Sequence, residues 1–132
     1  MFMTTRFVDT NILLEAYLRQ GERAEKSLQL LKSGKNLLTS WMVIGEFEWV
    51  LRSVYELAKP EIVKLLGSVV SLADLEVPDK KLLVRALRLF EGLNVDWTDC
   101  LNAILAKNAG AGEIYSYDRD FDKFPGVKRL EP

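Results

Sequence analysis

Short apolar segments alternate with longer amphipathic ones along the whole chain. The short segments are typical of buried strands and lie at residues 6–9, 37–39, 75–77, 113–117 and, at the sheet edge, 127–130. Between them apolar residues recur every three to four positions, which predicts helices over about 12–20, 22–34, 41–57, 60–72, 80–91 and 97–109. Strands that alternate with helices indicate an α/β protein with a parallel sheet covered on both faces.

Residues at the segment ends indicate where the helices begin. Four polar residues each precede a periodic apolar run and are expected to be N-caps: Asn11, Ser40, Asp79 and Asp96. Pro60 suits the first turn of a helix, because its fixed φ angle is helical and its missing N–H is not needed there. No linker, repeat or low-complexity run divides the chain, so we expect a single domain over residues 1–132.

The composition is that of a folded protein, and it narrows the possible chemistry. Of 132 residues, 48% are hydrophobic, and 18 basic side chains nearly balance 19 acidic ones. There is no histidine and one cysteine, Cys100, which excludes Ser-His-Asp triads, Cys-His pairs, internal disulfides and zinc sites built from histidine or thiolate clusters. Acid–base or metal chemistry would therefore use carboxylates, lysine, tyrosine or water.

The sequence gives no sign of a membrane location. No apolar stretch is long enough to span a bilayer, and residues 1–6 lack the layout of a signal peptide. A cytoplasmic protein with no membrane partner is expected. The net charge of −1 gives no overall attraction to nucleic acid, but it allows a local basic face.

Two acids in the first half of the chain are candidates for chemistry. Asp9 ends the first apolar strand, where a carboxylate suits a site at the carboxyl edge of a sheet; alternatively, it is a solvated residue that starts the next helix. Glu46 has apolar neighbours at i−3, i+3 and i+4 and is expected to face inward, unless it reaches water at the edge of the apolar stripe. Glu48 can pair with Arg52 on a solvated face.

Later acids begin a helix and follow a strand. Asp96 and Asp99 open the sixth predicted helix, and their spacing alone favours a capping box. However, Asp99 shares its helix face with two alanines suited to close packing on a sheet. A carboxylate on such an inward face is unusual without a ligand or partner, so Asp99 is a candidate for chemistry. Asp118 lies nearest the end of the fourth strand and is the better candidate ligand, whereas Asp120 and Asp122 fit a polar loop.

The four strongest candidates stand at strand ends or helix starts of one sheet: Asp9, Glu46, Asp99 and Asp118. Carboxylate oxygens suit Mg²⁺ or Mn²⁺. Because histidine is absent, a metal-activated water is the expected nucleophile, and the metal would stabilise charge on a phosphoryl oxygen.

Four short motifs, in order, resemble those of PIN domains. They are Phe7-Val8-Asp9-Thr10-Asn11, Thr39-Ser40 followed by Glu46, Asp99-Cys100-Leu101-Asn102-Ala103, and Ser116-Tyr117-Asp118-Arg119-Asp120-Phe121. The resemblance covers essentially the whole chain, and its size and arrangement are similar to VapC-type toxins of bacterial and archaeal toxin–antitoxin pairs. Asn102 departs from the family pattern, which usually has an apolar residue there.

The resemblance implies a three-layer α/β/α sandwich with a central parallel sheet of four to five strands. It also implies a Mg²⁺- or Mn²⁺-dependent ribonuclease that forms a homodimer, cleaves RNA and has a small antitoxin protein as a possible partner. By motif position, the catalytic and metal-holding acids would be Asp9, Glu46, Asp99 and Asp118. Supporting roles would fall to Asn11, Asp96, Ser116 and Asp120.

Four basic residues are candidates for RNA contact. Lys81, Arg85 and Arg88 share one face of the fifth predicted helix, and Arg119 lies beside Asp118. A solvated basic face, or pairing of Arg119 with nearby acids, also explains them. Two other functions stay open at this point: a non-catalytic PIN-like binding or scaffold domain, and a metal-dependent phosphohydrolase acting on a small substrate.

Overall fold

The structure, a computed structural model, describes residues 4–132. In this part of the chain strands and helices alternate as the sequence pattern predicts. The strands are Arg6–Phe7 (β1), Leu37–Leu38 (β2), Leu75–Glu76 (β3), Glu113–Tyr115 (β4) and Lys128–Leu130 (β5). The helices are Thr10–Leu18 (α1), Glu22–Leu31 (α2), Trp41–Ser53 (α3), Lys59–Val70 (α4), Lys80–Gly92 (α5) and Trp97–Asn108 (α6). A 3-10 helix that the sequence did not predict follows β4 at Arg119–Lys123.

The chain divides into two compact units, the first ending at Lys80 and the second spanning Lys81–Pro132. In the first unit β2 lies between β1 and β3 in a parallel sheet, and Leu37 is in register with Arg6 and with Leu75. In the second unit β4 and β5 pair in parallel. Every described strand therefore pairs in parallel, as the α/β pattern predicts.

The carboxyl ends of β1 and β2 are fastened by hydrogen bonds. The Val8 amide donates to the Leu38 carbonyl over 2.8 Å, and the buried Thr39 hydroxyl donates to the Val8 carbonyl over 2.9 Å. These bonds lie immediately before Asp9 and Ser40, the residues at which α1 and α3 begin. The first acidic motif is thus held on an ordered sheet edge.

The core of the second unit contains an aromatic pair between α5 and α6. Trp97 is 1% exposed and packs edge-on against Phe90, with ring centroids 5.5 Å apart. On α6, Cys100 and Ala103 are buried as well. This packing fixes the first turn of α6, which carries Asp99.

Ser40 and Pro60 open their helices as predicted, whereas Asp79 does not. The Ser40 hydroxyl accepts from the Val43 amide over 3.2 Å, and Pro60 lies in the first turn of α4. Asp79, in contrast, has a φ angle of 51°, so it lies in the left-handed region and not in the extended conformation of an N-cap residue. None of the described helices is long and apolar enough to cross a membrane.

The start of α1 is also corrected. Asp9, not Asn11, is the N-cap, and its Oδ1 accepts from the Thr10 amide over 2.8 Å. A carboxylate placed directly after the strand reaches the first unsatisfied amide of the helix, which leaves Asn11 inside the first turn. Asp9 therefore does start the next helix, as the alternative interpretation predicted.

Candidate metal centre

Three carboxylates of the second unit converge on one place. One oxygen each from Asp99, Asp118 and Asp120 lies within 4.8 Å of the other two. Asp99 is in the first turn of α6, Asp118 lies between β4 and the 3-10 helix, and Asp120 is in the first turn of that 3-10 helix. The structure thus brings together two of the predicted ligands and one predicted supporting residue.

A compact turn orients the two acids that follow β4. The Asp118 amide donates to the Ser116 hydroxyl over 3.0 Å, and the Asp120 amide donates to Asp118 Oδ1 over 2.9 Å. Asp118 is therefore also the N-cap of the 3-10 helix. Asp120 forms a 2.8 Å ion pair with Lys123, which offsets part of the negative charge of the cluster.

Asp99 is not part of a capping box. Asp96 occupies the N-cap position of α6, but its side chain makes no capping hydrogen bond. Among the described residues, Asp99 Oδ2 is buried and has no hydrogen-bond partner. Burial first, and then the negative charges of Asp118, Asp96 and Asp120, raise the pKa of Asp99 from 3.8 to about 6.

This donor set fits a divalent cation. An unpartnered carboxylate oxygen is costly in a buried position, and neighbouring like charges add to that cost. A cation shared by Asp99 and Asp118 would satisfy this oxygen and offset the repulsion, since hard carboxylate oxygens are the ligands that Mg²⁺ and Mn²⁺ prefer. The chemistry available here is therefore that of a carboxylate-bound metal.

The other two predicted ligands, Asp9 and Glu46, belong to the first unit, and both are exposed. One Asp9 oxygen caps α1. Exposed carboxylates suit an open site that keeps several waters on the ion, as Mg²⁺ does. Their metal role, and the supporting role of the exposed Asn11, stay predictions.

The predicted orientation of the two α3 glutamates is wrong. Glu48 is 3% exposed and accepts from Arg52 Nε over 3.0 Å, whereas Glu46 is exposed. The ion pair between Glu48 and Arg52 was predicted correctly, but Glu48 was expected on the solvated side of the helix and lies on the buried side. The reason is that the buried stripe runs through Ile44, Phe47 and Leu51, and Glu48 lies within it; Trp49, counted as an apolar neighbour of Glu46, is 53% exposed.

The basic candidates are all exposed, and two of them share a cavity. Arg85 and Arg88 line a cavity of about 190 Å³, while Lys81 does not. The third basic residue of this cavity, Lys107, was not singled out from the sequence, which gives no local sign that it lies beside Arg85 and Arg88. Within residues 4–132 Arg119 forms no ion pair, so pairing with its neighbouring acids does not explain it.

Comparison with known proteins identifies the family. The sequence profile of the PIN domain matches residues 6–127. The chain therefore belongs to the PIN-domain family, which confirms the predicted three-layer α/β/α fold class.

Two individual proteins are similar to this chain. A VapC ribonuclease of Aquifex aeolicus (strain VF5) is 26% identical over 131 residues, which cover 96% of each chain. Among solved structures, Mycobacterium tuberculosis VapC20, described as a sarcin–ricin loop cleaving toxin, is 18% identical with a TM-score of 0.42. That match covers 96% of this chain and 99% of the other.

Proposed function

We propose that this protein is a metal-dependent ribonuclease that acts as the toxin of a type II toxin–antitoxin pair. The observation that carries the proposal is the convergence of Asp99, Asp118 and Asp120, with a buried, unpartnered oxygen on Asp99. Similarity to a VapC ribonuclease over nearly the whole chain supports RNA as the substrate.

Each acid has a distinct part in this proposal. Asp99 and Asp118 hold Mg²⁺ or Mn²⁺, while the metal-holding roles of Asp9 and Glu46 rest on their positions in the PIN-domain motifs. Asp120, already paired with Lys123, orients water or substrate beside the ion. When bound, the divalent cation supplies a polarised water and neutralises charge on the phosphoryl oxygen.

The raised pKa of Asp99 sets the pH range of the site. With a pKa of about 6, the carboxyl group is mostly ionised at neutral pH and can bind a cation. Below that value it holds a proton, which competes with the cation for the same oxygen. Ser116 and Asp96 support the site by holding the Asp118 turn and by adding negative charge near Asp99.

The proposal is tested by cleavage of a fluorescent single-stranded RNA with Mg²⁺, with Mn²⁺ and with EDTA. We expect cleavage with either metal, none with EDTA, and a loss of at least about 100-fold in Asp99→Asn and Asp118→Asn, because each removes a ligand. Asp122→Asn is the matched control. Asp122 lies in the same 3-10 helix as Asp120, but it is outside the acidic cluster and pairs with Arg129 over 3.1 Å. This variant should cleave at the wild-type rate.

Other outcomes would select the alternatives. Cleavage that persists in EDTA, or at the wild-type rate in Asp99→Asn, would reject the metal-dependent nuclease. Metal binding without turnover of any RNA would favour a non-catalytic binding domain. Turnover of small phosphodiesters alone would favour a phosphohydrolase.

The proposal also includes partners and a cellular location. A homodimer, an antitoxin partner and a cytoplasmic location are predictions from the resemblance and the sequence. Met42 and Trp49, seven residues apart on α3, are 83% and 53% exposed and offer a protein partner apolar surface to bury.

A further inference from the structure

A basic cavity lies in the second unit, outside the acidic cluster. Its volume is about 190 Å³, and its lining includes Arg85, Arg88, Leu89, Ile104, Lys107 and Phe124. Ile104 and Phe124 are 4% and 3% exposed and form an apolar floor, whereas the three basic side chains are exposed. At about 30 Å³ for each water, this is room for about six waters, which is enough for a phosphate group.

The positive charge of the basic cavity is available to a ligand. Within residues 4–132 neither Arg85 nor Arg88 forms an ion pair, whereas Arg52 and Arg129 do. Guanidinium groups bind phosphate oxygens through paired, parallel N–H donors. Two of them beside a lysine therefore form an anion site that the protein itself does not neutralise.

Lys107 is already held in place at this cavity. Its Nζ donates to the Pro125 carbonyl over 3.2 Å and lies 3.1 Å from where a Cβ of residue 126 would stand. Residue 126 is glycine with a φ angle of 73°, which leaves the space that the lysine occupies. A side chain fixed in advance loses less conformational entropy when an anion binds.

The acidic cluster and the basic cavity lie along the same two segments. On α6, Lys107 follows Asp99 by eight residues, or about 12 Å along the helix axis at about 1.5 Å per residue. The 3-10 helix, which packs against α6, begins after Asp118 and is followed by Phe124 of the cavity floor. Both segments thus run from the acids to the basic cavity.

We propose that the basic cavity binds a backbone phosphate of single-stranded RNA, away from the phosphate that is cleaved. The inference rests on the ribonuclease function proposed above and deepens it. About 12 Å exceeds the rise of one nucleotide, about 3.4 Å in a helical strand, so the two sites hold different phosphates of one strand.

The test is the affinity for a fluorescein-labelled oligouridylate, measured by anisotropy in EDTA so that no cleavage occurs. At 0.1 M salt each lost phosphate contact should raise Kd about fivefold and reduce the slope of log Kd against log salt by about 0.7. Arg85→Gln/Arg88→Gln should show the full loss of this one contact, and Arg88→Gln should show part of it. Arg88→Lys should keep most of the slope, because it keeps the charge.

The matched control is Lys81→Gln, which removes one exposed positive charge from α5 at a residue that does not line the cavity. Its Kd should rise less than that of Arg88→Gln, because Lys81 makes no contact in the cavity and acts on a phosphate there only through its partly screened charge. Equal losses in Lys81→Gln and Arg88→Gln would overturn the proposal. Thermal melts should show the same stability for all variants, since the altered side chains are exposed.

Competition identifies the ligand. Unlabelled RNA should displace the labelled RNA. If inorganic phosphate does so equally well at the same total concentration of phosphate groups, the assignment to RNA is overturned. Equally effective displacement by polyglutamate would overturn it too. The cavity and the catalytic proposal fail separately. If RNA binding depends on Arg85 and Arg88 but no cleavage occurs in Mg²⁺, the nuclease is rejected and the binding site stays. If cleavage occurs but neither cleavage nor RNA binding depends on Arg85 and Arg88, the binding site is rejected and the nuclease stays.

Discussion

Glu48 on α3 and Asp99 on α6 both place carboxylate oxygens out of contact with water, but the charges around the two carboxylates are of opposite sign. Glu48 accepts from Arg52, one turn further along its helix, over 3.0 Å. Asp99 has a buried oxygen with no partner among the described residues, and its neighbours are Asp118 and Asp120. The chain neutralises the first carboxylate and surrounds the second with more negative charge.

This difference separates structural charge from functional charge. A buried acid that is paired within the chain has its charge offset by its partner, and losing one member of the pair destabilises the fold. An acid with a buried, unpartnered oxygen among like charges costs stability, and a proton or an external cation on that oxygen offsets the cost. By this criterion the acids of the second unit support the proposed metal site, whereas Glu48 belongs to the buried stripe of α3.

The largest stability effect is expected at Glu48. Glu48→Ala should lower the free energy of unfolding by about 2 kcal/mol, because it removes the ion pair and leaves a gap in the buried stripe. Glu46→Ala, on the exposed side of the same helix, should change it by less than about 0.5 kcal/mol. Urea unfolding in EDTA measures both values. Equal losses in the two variants would show that the buried pair is not the stabilising one.

A smaller effect of opposite sign is expected at Asp99. Because the folded pKa of about 6 exceeds the usual 3.8, the native state holds a proton that the unfolded state has released. Metal-free stability should therefore fall by about 1 to 2 kcal/mol as the pH rises from about 4 to above 6, after allowing for solvent screening. Asp99→Asn should remove this fall and be at least as stable as wild type at pH 7.5. Urea unfolding across this pH range that shows parallel curves for the two proteins would contradict the crowding of charge.

Features that depend on neighbouring residues were predictable from the sequence. Ser40 caps α3 and Pro60 opens α4 as expected, because caps and backbone restrictions act within one turn. Asp99 and Asp118 were also predicted as partners, since a strand end and a helix start in an α/β protein meet at the same sheet edge. Here the fold class and part of the site follow from local pattern.

Features that depend on which face is buried were not predictable. Counting Trp49 as a core residue turned Glu46 inward and Glu48 outward, the reverse of the structure, because spacing alone does not show which edge of an apolar stripe meets the core. The basic cavity requires α5, α6 and the segment after the 3-10 helix to meet, so Lys107 had no local signal. Asp9 took the capping role predicted for Asn11.

The most direct test of the central claim is Mn²⁺ binding followed by electron paramagnetic resonance, in which the signal of free Mn²⁺ decreases as the ion binds. Wild type and Asp122→Asn should bind Mn²⁺ with the same affinity, because Asp122 is outside the cluster and pairs with Arg129. Asp99→Asn and Asp118→Asn should bind it at least about tenfold more weakly. Equal Mn²⁺ affinity in all four proteins would contradict the metal centre proposed at these aspartates.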